Sequence, residues 1–76
     1  MNRQTRTARG RVSMVQEQRF RLATEQGSSY LLVLAHGAPI DESDLCRFLE
    51  DGTPVMVEYS GEPGLASGVA HMMRPA

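Results

Sequence analysis

The chain has 76 residues, 41% of them hydrophobic and 22% charged, which is typical of one small globular domain and excludes a disordered chain. Its single cysteine, Cys46, excludes an internal disulfide, and its longest apolar run, residues 31–35, is too short to cross a bilayer. The first twelve residues are charged and lack the apolar run of a secretory signal. The sequence therefore predicts a soluble protein in the reducing environment of the cytoplasm.

The overall net charge of −1 conceals an uneven distribution along the chain. Residues 1–21 hold six arginines and one glutamate, a net charge of +5, whereas residues 22–76 hold two arginines and eight acids, a net charge of −6. Such asymmetry is typical either of a basic arm that binds an anionic partner or of a solvated tail. Because residues 1–9 lack apolar periodicity, we predict that they form a disordered basic arm and that residues 10–74 form the single domain.

The first predicted strand is an alternating run that begins at Gly10. Residues 16–18 interrupt the apolar pattern, and Phe20 and Leu22 then resume it. Either one long strand or a hairpin that turns near Glu17 fits this pattern. We favour the hairpin, because so long a single strand is unusual in a small domain.

Three further strands are predicted beyond the turn at Gly27. Residues 30–35 are apolar at every position, which is typical of a central strand covered on both faces. A fourth strand is predicted from Thr53, where a following proline is tolerated. A turn over residues 60–64 then leads to a last strand over residues 66–73.

The clearest local signal predicts a helix over residues 41–51, between the third and fourth strands. Asp41 is placed to cap its first turn, and the nearby acids suit the positive end of the helix dipole. Leu45, Phe48 and Leu49 form an apolar stripe at helical spacing. We expect Leu45 and Phe48 to be buried in the core.

The resulting order, β-β-β-α-β-β, places the helix between the third and fourth strands. In this order, in the opening Gly10-Arg11-Val12, in the hairpin candidate at residues 19–22 and in the turn at Gly27, the chain resembles the oligonucleotide/oligosaccharide-binding (OB) fold. It is similar in layout to small single-domain bacterial OB-fold proteins. The resemblance implies a mainly β, five-stranded OB-like barrel over residues 10–74 with one capping helix. The alternative is an SH3-like barrel, whose helical turn usually falls between the last two strands.

Four residues of the basic segment are candidates for binding nucleic acid: Arg9, Arg11, Arg19 and Arg21. Barrels that bind single strands combine such cations with exposed aromatic rings. Here Phe20, Tyr30 and Tyr59 all fall on core-like periods. We therefore predict a non-enzymatic binding or accessory module that interacts with a protein partner or with itself. The alternative is weak binding of single-stranded nucleic acid through the arginine-rich N-terminal segment.

The sequence gives little support for a metal site or a catalytic site. His36, Cys46 and His71 are soft-metal ligands, but no two ligands lie at a recognised metal spacing. His71 and Met73 share a predicted strand face, although methionine more often fills gaps in a core. Helix capping accounts for the acids of residues 41–44. We predict no metal site, no cofactor and no enzymatic activity, because no nucleophile, base and orienting group occur together.

Overall fold

The computed structural model describes residues 5–62 and 68–76. Its strands form one closed barrel in the order β1-β2-β3-β5-β4, and β4 pairs with β1. The helix lies between β3 and β4, which confirms the mainly β, OB-like architecture and not the SH3-like alternative. The elements are β1 (Arg6–Gln16), β2 (Arg19–Thr24), β3 (Ser29–Leu34), α1 (Glu42–Asp51), β4 (Val55–Ser60) and β5 (Gly68–Pro75).

The hairpin between β1 and β2 is confirmed. Gln16 pairs with Arg19, so Glu17 and Gln18 form the turn. Glu17 has a φ of 58°, and a positive φ at the first turn position suits the twist of a two-residue hairpin. Glycine or asparagine usually occupies such a position, which is why the sequence pattern left a single long strand open.

Strand β1 belongs to both halves of the barrel. Its residues up to Gly10 pair with β4, and those from Gly10 onward pair with β2. A Cβ atom at Gly10 would lie 2.2 Å from the carbonyl oxygen of Ala23, a backbone atom. Only glycine permits this approach, so Gly10 is the point at which β1 passes from pairing with β4 to pairing with β2.

The structure corrects the sequence prediction for residues 6–9. The sequence places them in a disordered arm over residues 1–9, but they form the start of β1 and pair with β4. Arg6 also donates a hydrogen bond of 3.0 Å to the carbonyl oxygen of Gly61. The partner strand is distant in sequence, so no local pattern could reveal the pairing. Residues 1–4 lie outside the described part of the chain.

The hydrophobic core fills the barrel interior. Phe20 and Leu22 on β2 and Val55 and Val57 on β4 are fully buried, as their strand periods predict. Leu32 joins them from β3. Among the described residues, every buried side-chain nitrogen or oxygen has a hydrogen-bond partner. The interior is therefore an apolar core.

Helix α1 begins at the predicted cap. The Asp41 carboxylate accepts a hydrogen bond of 3.1 Å from the Asp44 amide, and the Asp44 carboxylate accepts one of 3.0 Å from the Asp41 amide. Leu45 is the buried residue of α1. The prediction of a buried Phe48 is corrected, because Phe48 is only partly buried against the core. Strand side chains fill the narrow interior of a five-stranded barrel, so a single helix residue enters it.

Strand β3 also differs from the prediction in one respect. Leu32 and Leu34 are buried, whereas Leu31 and Val33 are half-buried on the barrel exterior. The expectation that both faces are covered is therefore wrong, because α1 packs against β1 and leaves this outer face open. Residues 63–67, which include the second part of the predicted turn and the predicted start of the last strand, lie outside the described residues.

Candidate functional site

The outer sides of β1, β2 and β3 form one exposed surface, which we call the arginine face. Its charged and apolar members are Arg11, Met14, Arg19, Arg21, Leu31 and Val33. Strand register sets this composition, since paired residues of neighbouring strands point to the same side of a sheet. Arg21 lies between Met14 and Leu31, and Arg19 lies beside Val33. A row of two arginines on β2 therefore runs next to a row of two aliphatic residues on β3.

The structure brings together three of the four arginines predicted as candidates. Arg11, Arg19 and Arg21 are exposed on the arginine face. Arg9 is also exposed, but it lies in the part of β1 that pairs with β4, opposite Met56. The basic segment is thus divided between two surfaces at Gly10.

The cations of the arginine face have no carboxylate partner in the part of the chain that the structure describes. Across residues 5–62 and 68–76, the side chains of Arg11, Arg19 and Arg21 make no hydrogen bond or ion pair. Glu17 and Glu42 line the same concavity as Arg19 without forming an ion pair with it. The guanidinium groups are therefore available to an outside ligand.

Aromatic side chains are absent from this face. The chain has two phenylalanines, two tyrosines and no tryptophan, and all four rings belong to the described residues. Phe20 and Tyr59 are buried in the core, and Tyr30 and Phe48 pack against it. The arginine face therefore combines cations with aliphatic groups and offers no ring on which a base could stack.

A second polar cluster joins β1 to β4 at Tyr59. The rings of Tyr30 and Tyr59 meet edge to face with centroids 5.6 Å apart, and the Arg6 guanidinium lies 5.3 Å from the Tyr59 ring centroid. Burial raises the pKa of the Tyr59 phenol, and the hydrogen bond with Tyr30 acts in the same direction. Tyr59 is therefore neutral at physiological pH, and the cluster has a structural role.

The residues considered as metal ligands are scattered. His36 is exposed after β3, Cys46 is half-buried in α1, and Met73 is buried in the core. The Nε2 atom of His71 lies 2.7 Å from the Ser60 hydroxyl oxygen, a contact between neighbouring strands that sequence spacing does not reveal. Within the described part of the chain, no group of three or more His, Cys, Asp or Glu side chains could hold a metal ion.

Sequence reasoning missed the aliphatic half of the arginine face. It treated Leu31 and Val33 as buried, since the whole run over residues 30–35 is apolar. The available signal was the position of Arg19 and Arg21, because a strand that pairs with them must place every second residue on their side.

Comparison with known proteins gives no family assignment. The chain matches no protein-family model, and no curated protein and no solved structure is significantly similar to it. No helix in the described residues is long and apolar enough to span a membrane. The description as OB-like accordingly rests on strand order and pairing, and the function has to be argued from the exposed surfaces.

Proposed function

We propose that this protein is a non-enzymatic module that binds an acidic surface of a protein partner through the arginine face. The observation that supports the proposal is the presence of three unpaired guanidinium groups beside half-buried aliphatic side chains on one surface. Arginine and methionine are enriched in protein interfaces, and arginine is frequent among the residues that dominate binding energy. The aliphatic neighbours would exclude water around the cations and strengthen their attraction to carboxylates.

Docking onto a face suits this barrel better than addition of a strand at an edge. The barrel is closed, and each strand pairs with two others over at least part of its length. Strand addition requires a free row of backbone hydrogen-bonding groups. The side chains of the outer surface are therefore the better candidates for recognition.

Binding of single-stranded nucleic acid is the second candidate function. It is favoured by the position of Arg19 and Arg21 on β2, since OB folds bind oligonucleotides on the surface of their second and third strands. The absence of a stacking ring argues against tight binding. If Arg11, Arg19 and Arg21 each contact a phosphate, the log–log dependence of affinity on salt has a slope of about −2.

The test compares the partners of three forms of the full chain. Tagged wild-type protein, the double variant Arg19→Glu/Arg21→Glu and the control Arg9→Glu are purified from the same cells under mild salt. We expect specific co-purifying proteins, among which untagged copies of this chain are counted, with the wild type and the control and their loss with the double variant. Cross-linking mass spectrometry should place their contacts on β2 and β3. Retention of the same partners by the double variant would contradict the proposal.

A fluorescence titration with a short single-stranded oligonucleotide separates the two functions. The protein-binding proposal expects affinity no tighter than the non-specific range of about 10⁻⁴–10⁻⁶ M at physiological salt. Submicromolar affinity that disappears in Arg19→Glu/Arg21→Glu and persists in Arg9→Glu would favour nucleic acid as the ligand.

A further inference from the structure

Helix α1 is the most acidic region of the protein. Residues 41–51 contain five of the nine acids of the chain and one arginine, a net charge of −4. Glu50 and Asp51 lie in the last turn, where no basic residue is present. Acids at this end oppose the helix dipole and so weaken the helix. Leu49, directly before them, is 37% exposed, so the end of α1 offers both carboxylates and an apolar side chain.

The acidic helix borders the arginine face at its start, and the segment that follows the helix borders it at Pro54. Near the start of α1, Glu42 lines the same concavity as Arg19. Beyond its end, Pro54 lines the same concavity as Arg11. The helix also packs against β1, the first strand of the arginine face. The acidic start of α1 therefore lies beside the arginine face.

We infer that the partner surface for the arginine face is helix α1 of a second copy of this chain, in a two-fold symmetric dimer. This inference rests on the proposed function, because it names the acidic protein surface that the face binds. A two-fold axis between adjacent patches of opposite charge brings each patch onto the opposite patch of the other copy. The same contact, arginine face to α1, is then made twice.

The surface available for this contact is small for a dimer interface. A standard interface buries about 800 Å² on each partner, and the described chain exposes 4988 Å² in total. Three neighbouring strands span about 10 Å, and the outward residues from Arg19 to Ala23 span about 14 Å along β2. Even with α1 added, the contact belongs to the smaller, transient class. We expect a dissociation constant between roughly 1 µM and 1 mM, a range that sedimentation can measure.

The first measurement is sedimentation velocity of the full chain from about 10 µM to about 1 mM. We expect a shift from monomer to dimer with concentration at low ionic strength. Raising the salt to 1 M should reverse it, because the Debye length falls to about 3 Å. Sedimentation as a monomer at every concentration would overturn the inference.

The second measurement is a charge swap. Arg19→Glu/Arg21→Glu makes the face of one copy acidic, and Glu50→Lys/Asp51→Lys makes the end of α1 basic. Lysine in the last helical turn is favourable, so the second variant retains its fold. Each variant alone should be monomeric, while an equimolar mixture should form a dimer in which both contacts are again complementary. The control Arg9→Glu should dimerise like the wild type.

The outcomes distinguish this inference from the proposed function. Wild-type-like dimerisation of both variants, or a mixture that remains monomeric, overturns α1 as the partner surface. A monomeric wild type whose co-purifying proteins are lost with Arg19→Glu/Arg21→Glu overturns the dimer and supports binding of a different protein. If that variant changes neither the oligomeric state nor the co-purifying proteins, both proposals fail.

Discussion

The β4–β5 face and the arginine face of the barrel both carry arginine beside apolar side chains, but the arginines differ in their partners. On the face of β4 and β5, the Arg74 guanidinium lies 3.5 Å from the Glu58 carboxylate and 3.6 Å from the Met56 sulfur. On the arginine face, Arg19 and Arg21 have neighbouring aliphatic groups but no carboxylate partner within the described residues. Arg74 is paired within its own face, whereas Arg19 and Arg21 remain available.

This contrast shows why the number of arginines does not identify a binding surface. An exposed ion pair contributes little to stability, but it partly neutralises the charge that a partner would otherwise meet. Arg9 and Arg74 belong to the face on which one cation is already paired. The binding proposal therefore concerns the β1–β2–β3 surface alone.

The largest effect is expected in the interior that both faces share. Phe20 is fully buried beneath the arginine face, so Phe20→Ala should lower the free energy of unfolding by about 3–5 kcal/mol. Phe48→Ala is the matched control, and because Phe48 is only partly buried it should cost clearly less. Urea denaturation of the two variants measures the difference. Equal losses would mean that α1 contributes as much to the core as β2 does.

The next largest effect is expected at the residue that joins the two halves. A methyl group at Gly10 would collide with the Ala23 carbonyl oxygen, and a backbone atom cannot yield as a flexible side chain does. Gly10→Ala should therefore destabilise the fold by about 3 kcal/mol, the upper end of the usual cost of overpacking. Gly27→Ala is a useful contrast, since its added Cβ meets nothing and only its φ of 89° opposes the change. A smaller loss of stability for Gly10→Ala than for Gly27→Ala would show that β1 and β2 are not tightly packed at Gly10.

A pH-dependent effect is expected in the β4 half. The folded state raises the pKa of Tyr59 chiefly through burial, so it favours the neutral phenol. The resulting stabilisation is complete below the unfolded pKa of about 10 and is lost as pH rises through the higher folded value. From pH 8 to pH 11, the denaturation midpoint should fall further in the wild type than in Tyr59→Phe. Identical falls would indicate that the alkaline loss arises elsewhere.

The smallest effects on stability are expected when arginines are removed from the two outer faces. Arg74→Ala should cost about 0.2–1 kcal/mol, since it removes an exposed ion pair with Glu58. Arg19→Ala/Arg21→Ala removes no internal partner and should change stability by no more than about 0.5 kcal/mol per substitution. Thermal unfolding of these variants tests the contrast. A larger loss for the double variant would mean that the arginines have a structural role.

Local patterns were sufficient to predict several elements. Asp41 and Gly52 mark the ends of α1, because capping depends on backbone groups within one helical turn. The alternation of Phe20 and Leu22 with arginines predicts the inner and outer sides of β2, since side chains alternate along a strand. Arg19 and Arg21 could therefore be placed on an exposed surface before the structure was known.

The sequence by itself determined the order of the elements, the helix ends and the inward side of β2. Only the tertiary structure decided that residues 6–9 join the barrel, that Leu31 and Val33 stay half-exposed, and that the basic segment is divided at Gly10. Each of these depends on which strands become neighbours. The pairing of β1 with β4, and the packing of α1 on β1 that leaves Leu31 and Val33 uncovered, join residues far apart in the chain, so local periodicity does not reveal them.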